Sequence, residues 1–134
     1  MAAALGVFST PLQKYYYKLQ VRQAAQILAA DLRQLQQRSL FQADSNELSL
    51  RVSSNNTSAY SVYKAMRLER TINFSSVSCG DVYFKQMLKK VSFSNAGNPT
   101  VSGAYVLRHK QLTDFSCRLS LQPVTGRVTI YEEK

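Results

Sequence analysis

The sequence predicts an α+β fold, in which one long N-terminal amphipathic helix packs on an antiparallel β-sandwich or meander. Two observations lead to this expectation. The hydrophobic period changes once along the chain, from helical spacing before about residue 42 to strand-like alternation after it. The first part has no glycine between Pro11 and Phe41, whereas the second is rich in Val, Ile, Tyr, Phe and Thr. A length of 134 residues suits a single domain that combines both parts.

The helix is expected over residues 11–42. Thr10 would be its N-cap, Pro11 its first residue and Gln13 the partner in a capping box. An apolar stripe recurs at spacings of three and four residues, as on one face of a helix. Its members are Tyr17, Val21, Ala24, Leu28, Leu32, Leu35 and Ser39. The helix would be about 45 Å long, and its stripe should bury against the sheet.

The strands are expected within residues 43–134, where short alternating stretches recur between turn signals. A polar turn region is expected at residues 53–58, and the segments Asn95–Pro99 and Pro123–Gly126 are the clearest turns. Short strands at even spacing favour an antiparallel arrangement over a parallel sheet. The eight candidate stretches are Leu48–Val52, Tyr60–Tyr63, Thr71–Phe74, Val82–Phe84, Val91–Phe93, Ala104–Leu107, Phe115–Leu121 and Arg127–Tyr131.

The side-chain inventory argues against an enzyme. The chain has one histidine, His109, and it lies between Arg108 and Lys110, where a positive imidazolium is disfavoured. The spacings typical of zinc ligands and the glycine-rich phosphate loops are absent from the sequence, so we expect no metal and no cofactor. The net charge of +9 favours contact with polyanions such as nucleic acid or an anionic membrane surface.

Residues 1–10 are apolar and too few to span a bilayer. They also lack the basic start of a signal peptide. Two interpretations remain open: a tail or first helical turn of no further importance, or the end of a hydrophobic helix that continues upstream.

Several segments together resemble the type IV pilin-like minor pseudopilins. The similar family members are the H-type (FimT-like) pseudopilins of type II secretion and type IV pilus systems, and those of competence machinery. The resemblance is carried by AAALGVFSTPLQKYYYKLQ, by VRQAAQILAADLRQLQQRSL, by VSFSNAGNPTVSG and by GRVTI near the C-terminus. The family's processing site, with its glutamate in the hydrophobic helix, is missing. We therefore expect an N-terminally truncated fragment.

The resemblance implies a structural subunit in filament initiation, at the tip or in assembly. The full-length protein would be anchored in the cytoplasmic membrane by a single N-terminal helix before assembly. Its globular part would be extracytoplasmic, in the periplasm or at the cell surface. The implied partners are other pilin or pseudopilin subunits and the inner-membrane assembly platform. In pilins a proline at the position of Pro11 bends a continuous helix, which is an alternative to a helix start there.

The first part of the helix is the expected subunit interface. Consecutive tyrosines on a helix point in different directions, so at least one must be exposed in an isolated subunit. The alternative is that the tyrosines pack locally. The interface candidates are Leu12, Tyr15, Tyr16, Tyr17 and Leu19.

An extracytoplasmic location would also allow a disulfide between Cys79 and Cys117. The alternative is that both cysteines are buried free thiols.

Basic residues interleaved with aromatic ones raise the alternative of a DNA-binding surface, held by phosphate contacts. A solvated basic sheet face is the other interpretation. Two functions compete with the filament role: a soluble basic nucleic-acid-binding module for DNA uptake, and a β-sandwich adhesin. The candidates for a DNA surface are Lys64, Arg67, Arg70, Lys85, Lys89, Lys90, Arg108, Lys110 and Arg118.

Overall fold

A computed structural model describes residues 2–41, 48–77, 80–94 and 96–133. One long helix, α1 (Ala2–Phe41), is followed by eight strands, and a 3₁₀ turn, Phe74–Val77, lies between the third and fourth. The strands are β1 (Leu48–Ser53), β2 (Asn56–Lys64), β3 (Arg67–Asn73), β4 (Val82–Gln86), β5 (Lys90–Val91), β6 (Gly103–His109), β7 (Leu112–Leu121) and β8 (Val128–Glu133).

The strands form two antiparallel sheets of four strands each. The first sheet has the order β3-β2-β1-β5 and the second the order β4-β6-β7-β8. Each of the eight stretches predicted as strands overlaps a strand of the structure. The largest differences are in β2 and β3, which begin at Asn56 and Arg67 and not at Tyr60 and Thr71, so part of the predicted turn region 53–58 belongs to β2. Phe74 lies in the 3₁₀ turn, and Phe93 forms an isolated bridge with Pro99. The alternation of apolar and polar residues therefore located the strands correctly.

Helix α1 begins at Ala2 and continues through Pro11, which differs from the predicted start at Pro11. Thr10 is accordingly a helical residue and not an N-cap. A proline inside a helix removes one backbone hydrogen bond, but the residues on both sides of Pro11 still form the remaining bonds. The continuous helix corresponds to what the resemblance implied for this position. No helix within the described residues is long and apolar enough to cross a membrane.

The predicted helix stripe is the face that packs on the sheets. Val21, Leu28, Leu32 and Leu35 are fully or almost fully buried. Tyr17 is half-buried at the start of the stripe, and Ser39 at its other end is buried and donates to the carbonyl of Leu35 at 2.9 Å. The stripe contacts the core-facing residues of both sheets, so helix and sheets share one hydrophobic core.

An aromatic cluster fills the core where the two sheets meet. The ring of Phe74 lies 6.0 Å from that of Tyr60 and 5.4 Å from that of Phe84, measured between ring centroids. Tyr105 adds a further contact at 5.6 Å from Phe84. Tilted rings at these separations are a favourable aromatic geometry, so the cluster joins the two sheets and the 3₁₀ turn.

The β7–β8 turn is fastened to the helix by Gln36. Its amide nitrogen donates to the carbonyl oxygens of Gly97, at 2.9 Å, and Thr125, at 2.8 Å. Gly126 in this turn has a φ of +69°, and a Cβ there would lie 2.9 Å from the Gly97 carbonyl oxygen. The turn therefore needs glycine both for its backbone conformation and for close packing.

Candidate subunit interface

Two apolar stripes lie on opposite sides of helix α1. The buried stripe begins at Tyr17 and faces the sheets, whereas Leu12, Tyr15, Tyr16 and Leu19 form a second stripe at spacings of three and four residues. Leu12 and Val21 are separated by about two and a half helical turns, so the two stripes point in opposite directions. We call the second set, Leu12, Tyr15, Tyr16 and Leu19, the outer helix stripe.

The outer helix stripe is exposed along its whole length. Leu12 is 67% exposed, Tyr15 58%, Tyr16 56% and Leu19 40%. After Leu19 the same side of the helix carries polar residues such as Gln23 and Gln26, so the apolar character ends where the helix lies on the sheets. Contiguous exposed apolar residues are typical of surfaces that bind a partner, so the outer helix stripe stays the candidate interface.

Tyr17 differs from the other four interface candidates. Its ring stacks on the His109 ring, with centroids 4.2 Å apart and planes 25° apart. Its hydroxyl lies 3.5 Å from the side-chain oxygen of Gln111, to which it donates a long hydrogen bond. Tyr17 therefore belongs to the internal packing, whereas Tyr15 and Tyr16 are exposed.

His109 is a structural residue at the place where the helix leaves the sheets. It is buried, and its Nδ1 accepts a hydrogen bond from the backbone N–H of Gln111 at 3.0 Å. Burial lowers the pKa of the imidazole below 6.5, although Asp81 acts in the opposite direction. The sequence prediction that the imidazolium is disfavoured agrees with this direction, but burial and not the neighbouring cations is the main cause.

This burial predicts a pH-dependent stability. Because the His109 pKa is lower in the folded protein than in the unfolded chain, the unfolded chain binds the proton more readily. The free energy of unfolding should fall as the pH decreases from about 7.5 to about 5. Urea denaturation across this range should show the fall, and His109→Gln should flatten it. An equally steep fall in the His109→Gln variant would contradict the assignment to His109.

Among the described residues, three ionic contacts hold the helix against the edges of the sheets. Arg22 donates to Glu132 of β8, at 2.5 and 3.3 Å, and this bond raises the Arg22 pKa. Arg38 donates to both carboxylate oxygens of Glu69 in β3, at 2.8 and 3.1 Å, and lowers the pKa of that carboxyl. Both contacts are partly exposed, so each contributes modestly to stability.

Asp31 makes the third contact, and it is buried. Its two carboxylate oxygens accept hydrogen bonds from the hydroxyl of Tyr60 and from the guanidinium of Arg70. Arg70 also donates to Gln34 at 3.2 Å. Sequence patterns alone did not single out Asp31. Its position three residues after Leu28 and four before Leu35 places it beside the buried stripe, and this signal predicts a partner for the carboxylate.

The structure does not bring the nine basic candidates for a DNA surface together. Arg70 binds Asp31 of the helix. Arg118 is on the second sheet, where its Nη1 lies 3.5 Å from Oε1 of Glu133. Lys64 and Arg67 flank the β2–β3 turn, whereas Lys110 lies in the β6–β7 turn of the other sheet. The remaining four divide in the same way, with Lys89 and Lys90 at β5 of the first sheet and Lys85 and Arg108 on β4 and β6 of the second.

Cys117 is a free thiol buried in β7. Burial raises its pKa to about 11, so the thiol stays protonated near neutral pH. Cys79 lies outside the described residues. The bridge between the two cysteines therefore stays a prediction.

Within the described residues, His, Cys, Asp and Glu form no group of three or more that could hold a metal ion.

Comparison with known proteins identifies the fold. No protein-family model and no curated protein sequence matches the chain. Two crystal structures of the type IV minor pilin FimU from Pseudomonas aeruginosa do match. One, in space group P21, has a TM-score of 0.63 and 15% identity, covering 83% of this chain and 87% of that one. The other, in space group P65, has a TM-score of 0.58 and 15% identity, covering 82% and 91%. The chain therefore has a type IV pilin-like fold, which confirms the predicted α+β class.

Proposed function

We propose that this chain is a subunit of a type IV pilin-like filament, of the minor type, with a structural and not a catalytic role. The observation that carries the proposal is the outer helix stripe. In a pilin-like fold it places four exposed apolar side chains on the side of helix α1 that faces away from the sheets. Burial against neighbouring subunits would remove this surface from water, at about 25 cal/mol for each Å².

The partners in this proposal are other pilin or pseudopilin subunits, together with a membrane assembly platform. The globular part would work outside the cytoplasm, and a hydrophobic helix upstream of the described residues would anchor the protein before assembly. The subunit role is common to type II secretion, type IV pilus and competence machines, so the proposal applies to each. The filament role needs no cofactor and no metal.

Shearing filaments from the organism that encodes the chain tests this role. An antibody against the globular part should detect the protein in the sedimented filament fraction, at a low ratio to the major subunit. Strains without the assembly ATPase should lose that signal but keep the protein in membranes. Equal recovery from strains with and without the ATPase would contradict a filament role.

A further inference from the structure

The outward surface of the first sheet carries a pair of cations beside an aromatic ring. Leu50 and Val62 point into the core, so the residues that alternate with them point away from the helix. This surface holds Arg51, Lys90, Tyr63 and three hydroxyl residues. We call it the Arg51 face, and its members are Ser49, Arg51, Ser61, Tyr63, Thr71 and Lys90.

Arg51 and Lys90 are direct partners across the β1–β5 pair. Side chains in this relation are neighbours on the same surface, and like charges there are destabilising. The only acid in the strands of this sheet is Glu69, and it binds Arg38 of the helix. Within the described residues, the strands of this sheet therefore offer no further carboxylate to these two cations. Two cations that are cross-strand neighbours on an outward sheet surface suit an anionic ligand.

Arg51 is held in a fixed orientation. Its guanidinium carbon lies 4.5 Å from the centroid of the Tyr63 ring, and its Nε donates to the hydroxyl of Ser49 at 3.1 Å. On the next two strands Ser61 and Thr71 form a hydroxyl pair at 3.1 Å. The sheet surface therefore combines an oriented arginine on an aromatic ring with a second cation and polar groups.

We propose that the Arg51 face binds single-stranded nucleic acid, with phosphates held by Arg51 and Lys90 and a base stacked on the Arg51–Tyr63 pair. Single strands bind to open sheet surfaces through backbone contacts to cations and through stacking on aromatic rings and guanidinium planes. A duplex keeps its bases inside and offers grooves that suit helices and ribbons. An acidic polysaccharide has no bases and would leave the stacked pair unused. This proposal does not depend on the filament role.

Fluorescence anisotropy with a labelled oligo-dT of about 15 nucleotides tests the proposal. This oligonucleotide is long enough to cover the binding site of one such sheet surface. At about 50 mM salt, Arg51→Gln and Lys90→Gln should each weaken binding about three- to tenfold. Each should also reduce the slope of log affinity against log salt by about 0.7. Tyr63→Leu should weaken binding about threefold or more and leave the slope unchanged.

Lys85→Gln and Lys110→Gln are the matched controls, because both remove one exposed cation from the second sheet. They should retain the affinity within about twofold. Equal losses in the controls would overturn the site, since they would show a general effect of charge. Absence of saturable binding would overturn it too, as would tighter binding of a duplex of equal length or of polygalacturonate.

Thermal unfolding of the same variants separates a binding defect from a folding defect. Because Arg51 and Lys90 repel each other, Lys90→Gln should keep or slightly raise the midpoint at low salt. A lowered midpoint for Lys90→Gln would contradict the argument from repulsion.

Discussion

Asp31→Ala is expected to lower the free energy of unfolding by about 2 to 4 kcal/mol. The buried carboxylate accepts from Tyr60 and Arg70, so its removal takes one acceptor from the buried Tyr60 hydroxyl and one from the Arg70 guanidinium, which keeps its bond to Gln34. Because the Arg70 side chain is partly exposed, breaking this pair should lower the free energy of unfolding by less than breaking a fully buried pair would. Equilibrium denaturation in urea measures the change.

Glu69→Ala is the matched control for Asp31→Ala. It also removes a carboxylate of a helix-to-sheet ion pair, but the Glu69 side chain is 36% exposed, whereas that of Asp31 is 10% exposed. We expect a loss of no more than about 1 kcal/mol. Equal losses in the two variants would contradict the role of Asp31 as the buried contact that fixes the helix on the first sheet.

A double variant in which glutamine replaces both Leu12 and Tyr16 is expected to be recovered in the filament fraction more than tenfold less than the original protein. A loss of about 1.4 kcal/mol or more of packing energy against neighbouring subunits would produce this decrease. Both side chains are mostly exposed, so the free energy of unfolding should change by less than about 0.5 kcal/mol. Immunoblots of sheared filaments, normalised to the total protein in the cells, measure recovery.

Lys14→Gln is the control for this double variant. Lys14 lies in the same exposed segment, but on the other side of the helix from Leu12 and Tyr16. Its replacement should leave recovery within about twofold of the original protein. If Lys14→Gln reduced recovery as strongly as the double variant, the outer helix stripe would not be the surface that carries assembly.

The main features of the fold follow from local patterns in the sequence. The spacing of Val21, Leu28 and Leu35 defined the buried stripe, because a helix repeats its faces at a fixed interval. Alternation likewise located the strands. The start of the helix at Ala2 was missed, since the signals of Thr10 and Pro11 fit a helix start as well as an interior proline.

The side-chain contacts between distant segments could not be read from the sequence. Arg67 and Arg70 lie close together in the chain, yet Arg70 turns to the helix and binds Asp31. Arg51 and Lys90 are far apart in the chain, yet strand pairing makes them neighbours. Clusters counted along the sequence therefore differ from clusters on the folded surface, because strand order and side-chain alternation decide which charges meet.

Site-specific photocrosslinking from position 16 tests most directly the claim that the outer helix stripe contacts other subunits. Tyr16 is replaced by a benzophenone-bearing amino acid in the organism that assembles the filament, and position 14 serves as the control. We expect a crosslink from position 16 to another pilin-like subunit, and a much weaker one from position 14. Equal crosslinking from both positions, or none from position 16 in assembled filaments, would contradict it.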